Sequence, residues 1–217
     1  KTGASASSVK SAQSHTGAIA GDHAAFLAMC DRYGIVVCRS LDDLVQTALA
    51  FQRTRRPKGR RMGFISNSGG AVDLLYDLCE SEGAELAQLA EATHARLAPL
   101  VQEGIKPKNP LDVGIPAPNE TSAKWCEAML ADPAVDLLAF GLQPRNLAEL
   151  GDAAPFQRAF GATNKTVLGF SRFSYQVTPE IIDIQDRLGI PILMGLDATV
   201  RAMNALCYHA DRQGKAP

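Results

Sequence analysis

Four short apolar runs, at residues 62–66, 137–142, 166–170 and 191–194, are separated by longer stretches whose apolar residues recur at helical spacing. No other feature of the chain limits its fold as strongly. Runs of that length, apolar rather than alternating, suit strands covered on both faces, and regular strand–helix alternation makes the sheet parallel. The helices between them are read at 71–82 (Leu74, Leu75, Leu78, Cys79 inward), 120–131 behind Asn119 (Trp125, Ala128, Met129 inward), 179–188 behind Thr178 and 198–210 behind Asp197. The fold class is α/β, a doubly wound parallel sheet whose working crevice lies at the carboxyl ends of its strands. With 217 residues, 46% of them apolar, the chain can bury such a core.

Ahead of the sheet the pattern changes. The first twenty or so residues are rich in Gly, Ala, Ser and Thr and nearly devoid of large apolar side chains, and are expected to be a loop. From Asp22, a good N-cap, Phe26, Met29, Cys30 and Tyr33 describe one helical face that Gly34 closes, and a short strand is expected at 35–38. Ser40-Leu41-Asp42-Asp43 resembles a capping box, behind which Leu41, Leu44, Val45, Ala48 and Leu49 line one face of another helix. The basic run at 53–61, broken by Pro57 and Gly59, cannot continue that helix. It reads more simply as a solvated linker than as an attraction for phosphate groups or RNA, and it sets the expected division: residues 1–55 as the tail of one subdomain, 59–217 as a second domain.

A net charge of −1 offers nucleic acid or an anionic membrane no general attraction, and no apolar stretch approaches the ~20 residues of a membrane helix. Cys30, Cys38, Cys79, Cys126 and Cys207 are odd in number and contain no Cys-x-x-Cys pair, so they read as reduced thiols of a cytoplasmic protein, with no metal site. The start at Lys1-Thr2-Gly3, without Met or a signal-like apolar run, suggests a segment of something longer.

Four segments could carry chemistry. His15 stands among small residues in Ser14-His15-Thr16-Gly17-Ala18, where a large partner could reach it; on the residues alone an ordinary surface histidine is the simpler reading. His23, His94 and His209 read as solvated helical positions. Ser66, Asn67, Ser68, Gly69 and Gly70 join a strand to a helix, a placement that turns free N–H groups and a positive helix end toward an anion; an ordinary turn fits equally well. This turn lacks the Gly-Lys-Ser/Thr of a Walker loop, the spaced glycines of a dinucleotide fingerprint and the first glycine of a nucleophile elbow. Asn109-Pro110-Leu111-Asp112 reads as a turn whose Asp112 braces the neighbouring loop or touches substrate. Gln143 and Arg145 follow a buried strand at its carboxyl end, where a guanidinium can grip a carboxylate, though a solvated arginine is the simpler reading.

Lys1-Thr2-Gly3, residues 11–21 around His15, residues 59–70 and Asn109-Pro110-Leu111-Asp112 together resemble, in order, the motifs of NDP-forming acyl-CoA synthetases. The similarity spans essentially the whole chain and extends to succinyl-CoA synthetase. The resemblance implies a flavodoxin-like, succinyl-CoA synthetase-like domain preceded by the tail of a ligase-CoA subdomain. It implies a soluble acid–CoA ligase that consumes a small carboxylic acid, CoA and ATP with Mg, releases ADP and phosphate, and passes through an acyl phosphate and a phosphohistidine. His15 matches the phosphate-carrying histidine, the 66–70 turn a phosphate-binding helix terminus, and Gln143 and Arg145 a substrate loop that is glycine-rich in the relative and not here. It also implies CoA-binding and ATP-grasp domains or subunits as partners, without which the segment is inactive, and a homo-oligomer. The competing reading, from another class, is a non-catalytic synthetase-like ligand-binding module, as in some protein acetyltransferases. Retention of both His15 and the 66–70 turn favours the ligase.

Overall fold

A computed structural model describes residues 3–16, 21–114, 116–142, 146–174 and 178–213. The chain divides into two compact units, Lys1–Val37 with Asp211–Pro217, and Cys38–Ala210. The boundary thus falls ahead of the basic run where the sequence suggested it, and the helix at 41–53 groups with the sheet.

In the smaller unit α1 (Ala6–Thr16) replaces much of the expected loop, while α2 (His23–Arg32) is the helix expected behind Asp22. Most residues of α1 are only modest helix formers, four of them serine, and what starts the helix is a cap. Ser5 supplies that cap, its carbonyl accepting from the Val9 amide at 2.9 Å and its hydroxyl from the Ser8 amide at 3.2 Å. Asp22 caps α2 as expected, accepting from Ala24 at 2.8 Å. Beyond it Gly34, at φ +63°, lets the Ile35 amide reach the Cys30 carbonyl at 2.8 Å, and a Cβ on Gly34 would meet the Arg212 Cβ at 2.6 Å. Residues 35–38 pair with no strand, contrary to expectation.

The larger unit opens with α3 (Leu41–Arg53), capped by the Ser40 hydroxyl on the Asp43 amide. Its buried face is Asp43, Thr47 and Ala50, while Leu41, Leu44 and Val45 are exposed, so the expected inward face is turned outward. Asp43 is tolerated inside because Arg201 donates to it at 2.8 Å.

Next come β1 (Arg61–Ser66), α4 (Gly69–Ser81), β2 (Glu85–Leu86), α5 (Glu91–Leu97), β3 (Leu111–Asp112), α6 (Asn119–Ala131), β4 (Leu137–Gly141), α7 (Leu147–Leu150), α8 (Ala154–Gly161), β5 (Thr166–Ser171), α9 (Glu180–Leu188), β6 (Ile192–Met194) and α10 (Leu196–Gln213). The strand order is β2-β1-β4-β5-β6 and every pairing is parallel. This is the flavodoxin-like order, with the chain reversing direction across the sheet between β1 and β4. One core packs Phe64, Leu137, Leu168 and Phe170 against α4 and α10. The other packs Ile65, Leu138, Phe140 and Val167 against α5, α6, α8 and α9.

The outer edge of β1 is closed in pieces. β2 pairs with Arg61 and Met62, β3 with Ile65 and Ser66, both opposite β4. Between them Asn109 stands in for a strand residue: its side chain accepts from the Phe64 amide at 2.9 Å and donates to the Met62 carbonyl at 2.7 Å and the Ala87 carbonyl at 3.0 Å. The segment read as a turn therefore ends in a strand.

Candidate active site

β1 is buried up to Ser66, where the chain turns into α4. The Ser66 hydroxyl accepts from the Ser68 amide at 3.3 Å, and the Ser68 hydroxyl caps the helix at the Ala71 amide. The exposed amides of Gly69 and Gly70 have no partner among the described residues, and the first turn of this 13-residue helix carries no acid. Two free donors and the positive end of a dipole thus face the same solvent.

Asp112 lies beside them. β3 pairs it with Ser66, its Oδ1 accepts from the Gly114 amide at 2.9 Å, and its Oδ2 sits 3.1 Å from where a Cβ on Gly69 would be. Glycine at 69 lets this carboxylate approach the helix end. A Cβ on Gly70 would meet nothing within 4 Å, so the open space for a further anion is on that side.

Between the carboxyl ends of β1 and β4, at the reversal point, lies a cavity of about 330 Å³ with Asn67 at its rim. The loop after β3 and the helices α6, α7 and α8 complete its wall. Sequence reasoning located the crevice but not this lining, because Val113, Ala117 and Phe156 come from segments with no motif.

Gln143 and Arg145 lie outside the described residues, between Leu142 and the Asn146 that caps α7. His15 belongs to the backbone of α1 rather than to a loop, and its side chain is outside what is described. The other histidines are not simply solvated: His94 Nδ1 is 2.8 Å from the Pro107 carbonyl, and His209 packs edge-on against Phe51. Burial pushes the Cys79 thiol up to about 11 and raises Cys126 as well, so neither offers a thiolate at neutral pH. Among the described residues no cluster of His, Cys, Asp or Glu could hold a metal, and no helix is long and apolar enough to cross a membrane.

The opposite end of the sheet is closed by charge. Arg61 donates to both oxygens of Asp136 at 2.9 Å, and this bond holds the Asp136 carboxyl below its usual range. At Asp132 burial raises the pKa, but hydrogen bonds from Thr93, Ala134 and Ala90 outweigh it and leave the group more acidic than usual. Lys165, lowered by burial, donates to the Asp132 carbonyl at 2.6 Å.

A parallel sheet in the flavodoxin-like order, with an open strand-to-helix turn at its reversal point, defines a doubly wound α/β protein. The comparisons narrow this class. Residues 1–51 match the succinyl-CoA ligase like flavodoxin domain family. The chain is 30% identical, over 99% of its length, to the alpha subunit of an ADP-forming acetate–CoA ligase II from Pyrococcus furiosus, of which it covers 48%. It is 27% identical over 95% of its length to an ADP-forming acetate–CoA ligase I from Archaeoglobus fulgidus, covering 29% of that protein. In fold it matches the acetyl-coenzyme A synthetase 1 of Ca. Korarchaeum cryptofilum, solved with phosphate and ADP, at a TM-score of 0.79 and 23% identity, over 98% of this chain and 46% of that one. Over nearly its whole length the chain is thus similar to ADP-forming acetate–CoA ligases, and it spans about half the length, or less, of the curated relatives it matches.

Proposed function

We propose that the chain is the phosphoryl-handling part of an acid–CoA ligase, which makes an acyl-CoA thioester from a carboxylic acid, CoA and ATP and releases ADP and phosphate. The observation that carries this reading is the pair of free amides at Gly69 and Gly70, at the end of α4 beside the switch-point crevice.

In this scheme a neutral imidazole nitrogen of His15 attacks the γ-phosphorus of ATP, and the bond to ADP breaks. The acid's carboxylate then attacks that phosphorus, the P–N bond breaks, and an acyl phosphate forms. The CoA thiol adds to the acyl carbon, gives up its proton, and phosphate leaves. The 66–70 turn steadies the phosphoryl group through fixed N–H donors that need no reorganisation as charge develops. Ser66 and Ser68 shape the turn, Asn67 borders the acid, and Asp112 braces the adjoining loop. Gln143 and Arg145 contact the acid's carboxylate end. CoA-binding and ATP-grasp parts, on this or another polypeptide, supply the remaining sites, with Mg accompanying the nucleotide in a homo-oligomeric cytoplasmic enzyme.

The test is to incubate the complete enzyme and its His15→Ala variant with γ-labelled ATP. Acid-labile, base-stable label on the wild type, absent from the variant together with acyl-CoA synthesis, is the expected result. Acid-stable label, or label retained in the variant, would sink the assignment.

A further inference from the structure

The basic run at 53–61 is left without a role by the ligase reading, and the fold gives its first arginines company. Arg53 and Arg55 line a second cavity of about 330 Å³, at the amino ends of β5 and β6, together with Lys165, which precedes β5, and Arg187, in the last turn of α9. The run is fixed in place there, because the Thr166 hydroxyl at the start of β5 donates to the Arg55 carbonyl at 2.7 Å. Among the described lining residues these four cations face one acid, Asp186.

Part of this charge has a structural use. α3, α8 and α9 all finish at the wall, and cations favour helix carboxyl ends, each of which carries roughly half a negative charge. Asp132 and Asp136 lie behind Lys165, but Arg61 takes Asp136, and backbone amides of Ala90 and Ala134 take the Asp132 carboxylate. Positive charge is left in excess. So are N–H donors, of which a guanidinium has five. Arg53 uses one on Asp186 at 2.5 Å, Arg55 turns its Nη1 to the Thr163 carbonyl and the Asn164 side-chain oxygen, and Arg187 has no side-chain partner among the described residues. The Lys165 ammonium donates to the Asp132 carbonyl at 2.6 Å, a neutral acceptor that leaves its charge intact; burial lowers its pKa, a cost that an entering anion would relieve. The space holds roughly ten waters at ~30 Å³ each, enough for a phosphate group and a few further atoms but too small and concave for a nucleic-acid strand or a membrane surface. Several forked donors around one concavity suit the oxygens of a phosphate better than the two of a lone carboxylate.

We infer that this cavity is a second phosphate site, at the opposite end of the sheet from the 66–70 turn, and that it takes a phosphate dianion, free or as the end group of a small ester. The phosphate sits among Arg55, Lys165 and Arg187, and the carbon body of an ester lies toward Phe160 and Ile190. The inference is independent of the ligase reading, whose own phosphate turn is elsewhere.

The complete enzyme, methyl-labelled at Ile, Leu and Val, is titrated with inorganic phosphate, phenyl phosphate and, at matched ionic strength, sodium chloride. Saturable shifts of the Val167, Leu188 and Ile190 methyls are expected with a phosphate and not with chloride. Saturation by inorganic phosphate identifies the free ion as sufficient, and saturation by phenyl phosphate alone identifies an ester; either upholds the site. Arg187→Gln, at an exposed position, should weaken this binding about ten-fold or more while leaving any shifts at Ile65 and Val72, beside the 66–70 turn, unchanged. Arg55→Gln serves as the second variant if the first loses its folded methyl spectrum. Shifts confined to Ile65 and Val72, shifts that chloride reproduces, or an affinity that neither variant moves overturns the inference and leaves the ligase reading untouched.

Discussion

The two ends of the sheet treat charge in opposite ways. At the amino end around β1 and β4 the charges are partnered: Arg61 grips Asp136, Asp132 accepts from Ala90 and Ala134, and Lys165 reaches the Asp132 carbonyl. At the carboxyl end the amides of Gly69 and Gly70 are left open beside a cavity. Both ends use glycine, for different reasons. Gly59 is small because a Cβ there would lie 2.2 Å from Asp136, whereas Gly70 is small with nothing near it. One glycine makes room for protein and the other leaves room for something else, so a stability measurement alone can tell structural economy from a binding surface.

The contrast is sharpest for Gly59→Ala. Asp136 is short and held by three bonds from Arg61, so it cannot step aside, and a loss of about 2–3 kcal/mol in urea unfolding is expected. Asp136→Asn should cost less, about 1–2 kcal/mol at neutral pH. Because Arg61 depresses the folded pKa of Asp136 from its ordinary 3.8, the stability it adds is present above that value and lost as pH falls through the lower folded value. Wild type and variant should therefore differ at pH 7 and converge in the acid range below about 4; a gap that stays constant into acid would remove the ion pair from the account. At the other end Ser68→Ala, which deletes the cap of α4, should cost about 1 kcal/mol in thermal melts. The smallest effect belongs to Gly70→Ala, expected to leave stability unchanged or raise it by about 0.5 kcal/mol, since the site is open and alanine favours the helix. If it destabilised as much as Gly59→Ala, the proposed difference between the two ends would disappear.

The strands that carry this architecture were legible because they are continuous apolar runs, and 62–66, 137–142, 166–170 and 191–194 differ from the observed β1, β4, β5 and β6 by a residue or so. β2 and β3 escaped because two residues cannot show a period, and what completes their edge is the side chain of Asn109. α1 escaped because a solvent-facing helix of Ala, Ser, Lys and Gln has no apolar stripe to read. On α3 the stripe was real but faces solvent in this chain, and the buried side holds Asp43 and Thr47, which pattern alone assigns outward. The 66–70 turn was legible as a strand-to-helix junction, yet its free amides were not, since only the fold shows which donors lack partners. The place of the crevice was legible from the strand order, but its lining was not, being assembled from four separated stretches whose residues are individually ordinary.

The divided edge of β1 has a consequence for what the fold can accept by insertion. The chain leaves that edge after β2, wanders through α5, and returns to the same edge at Asn109 before β3, so residues 87–108 form an excursion with fixed points of departure and return. Lengthening the excursion leaves the anchoring bonds at Met62 and Phe64 in place, because they are made by one side chain rather than by a continuous strand. A longer excursion here thus leaves the register of the sheet undisturbed, and a peptide grafted into residues 102–106 is expected to leave the 66–70 turn where it is.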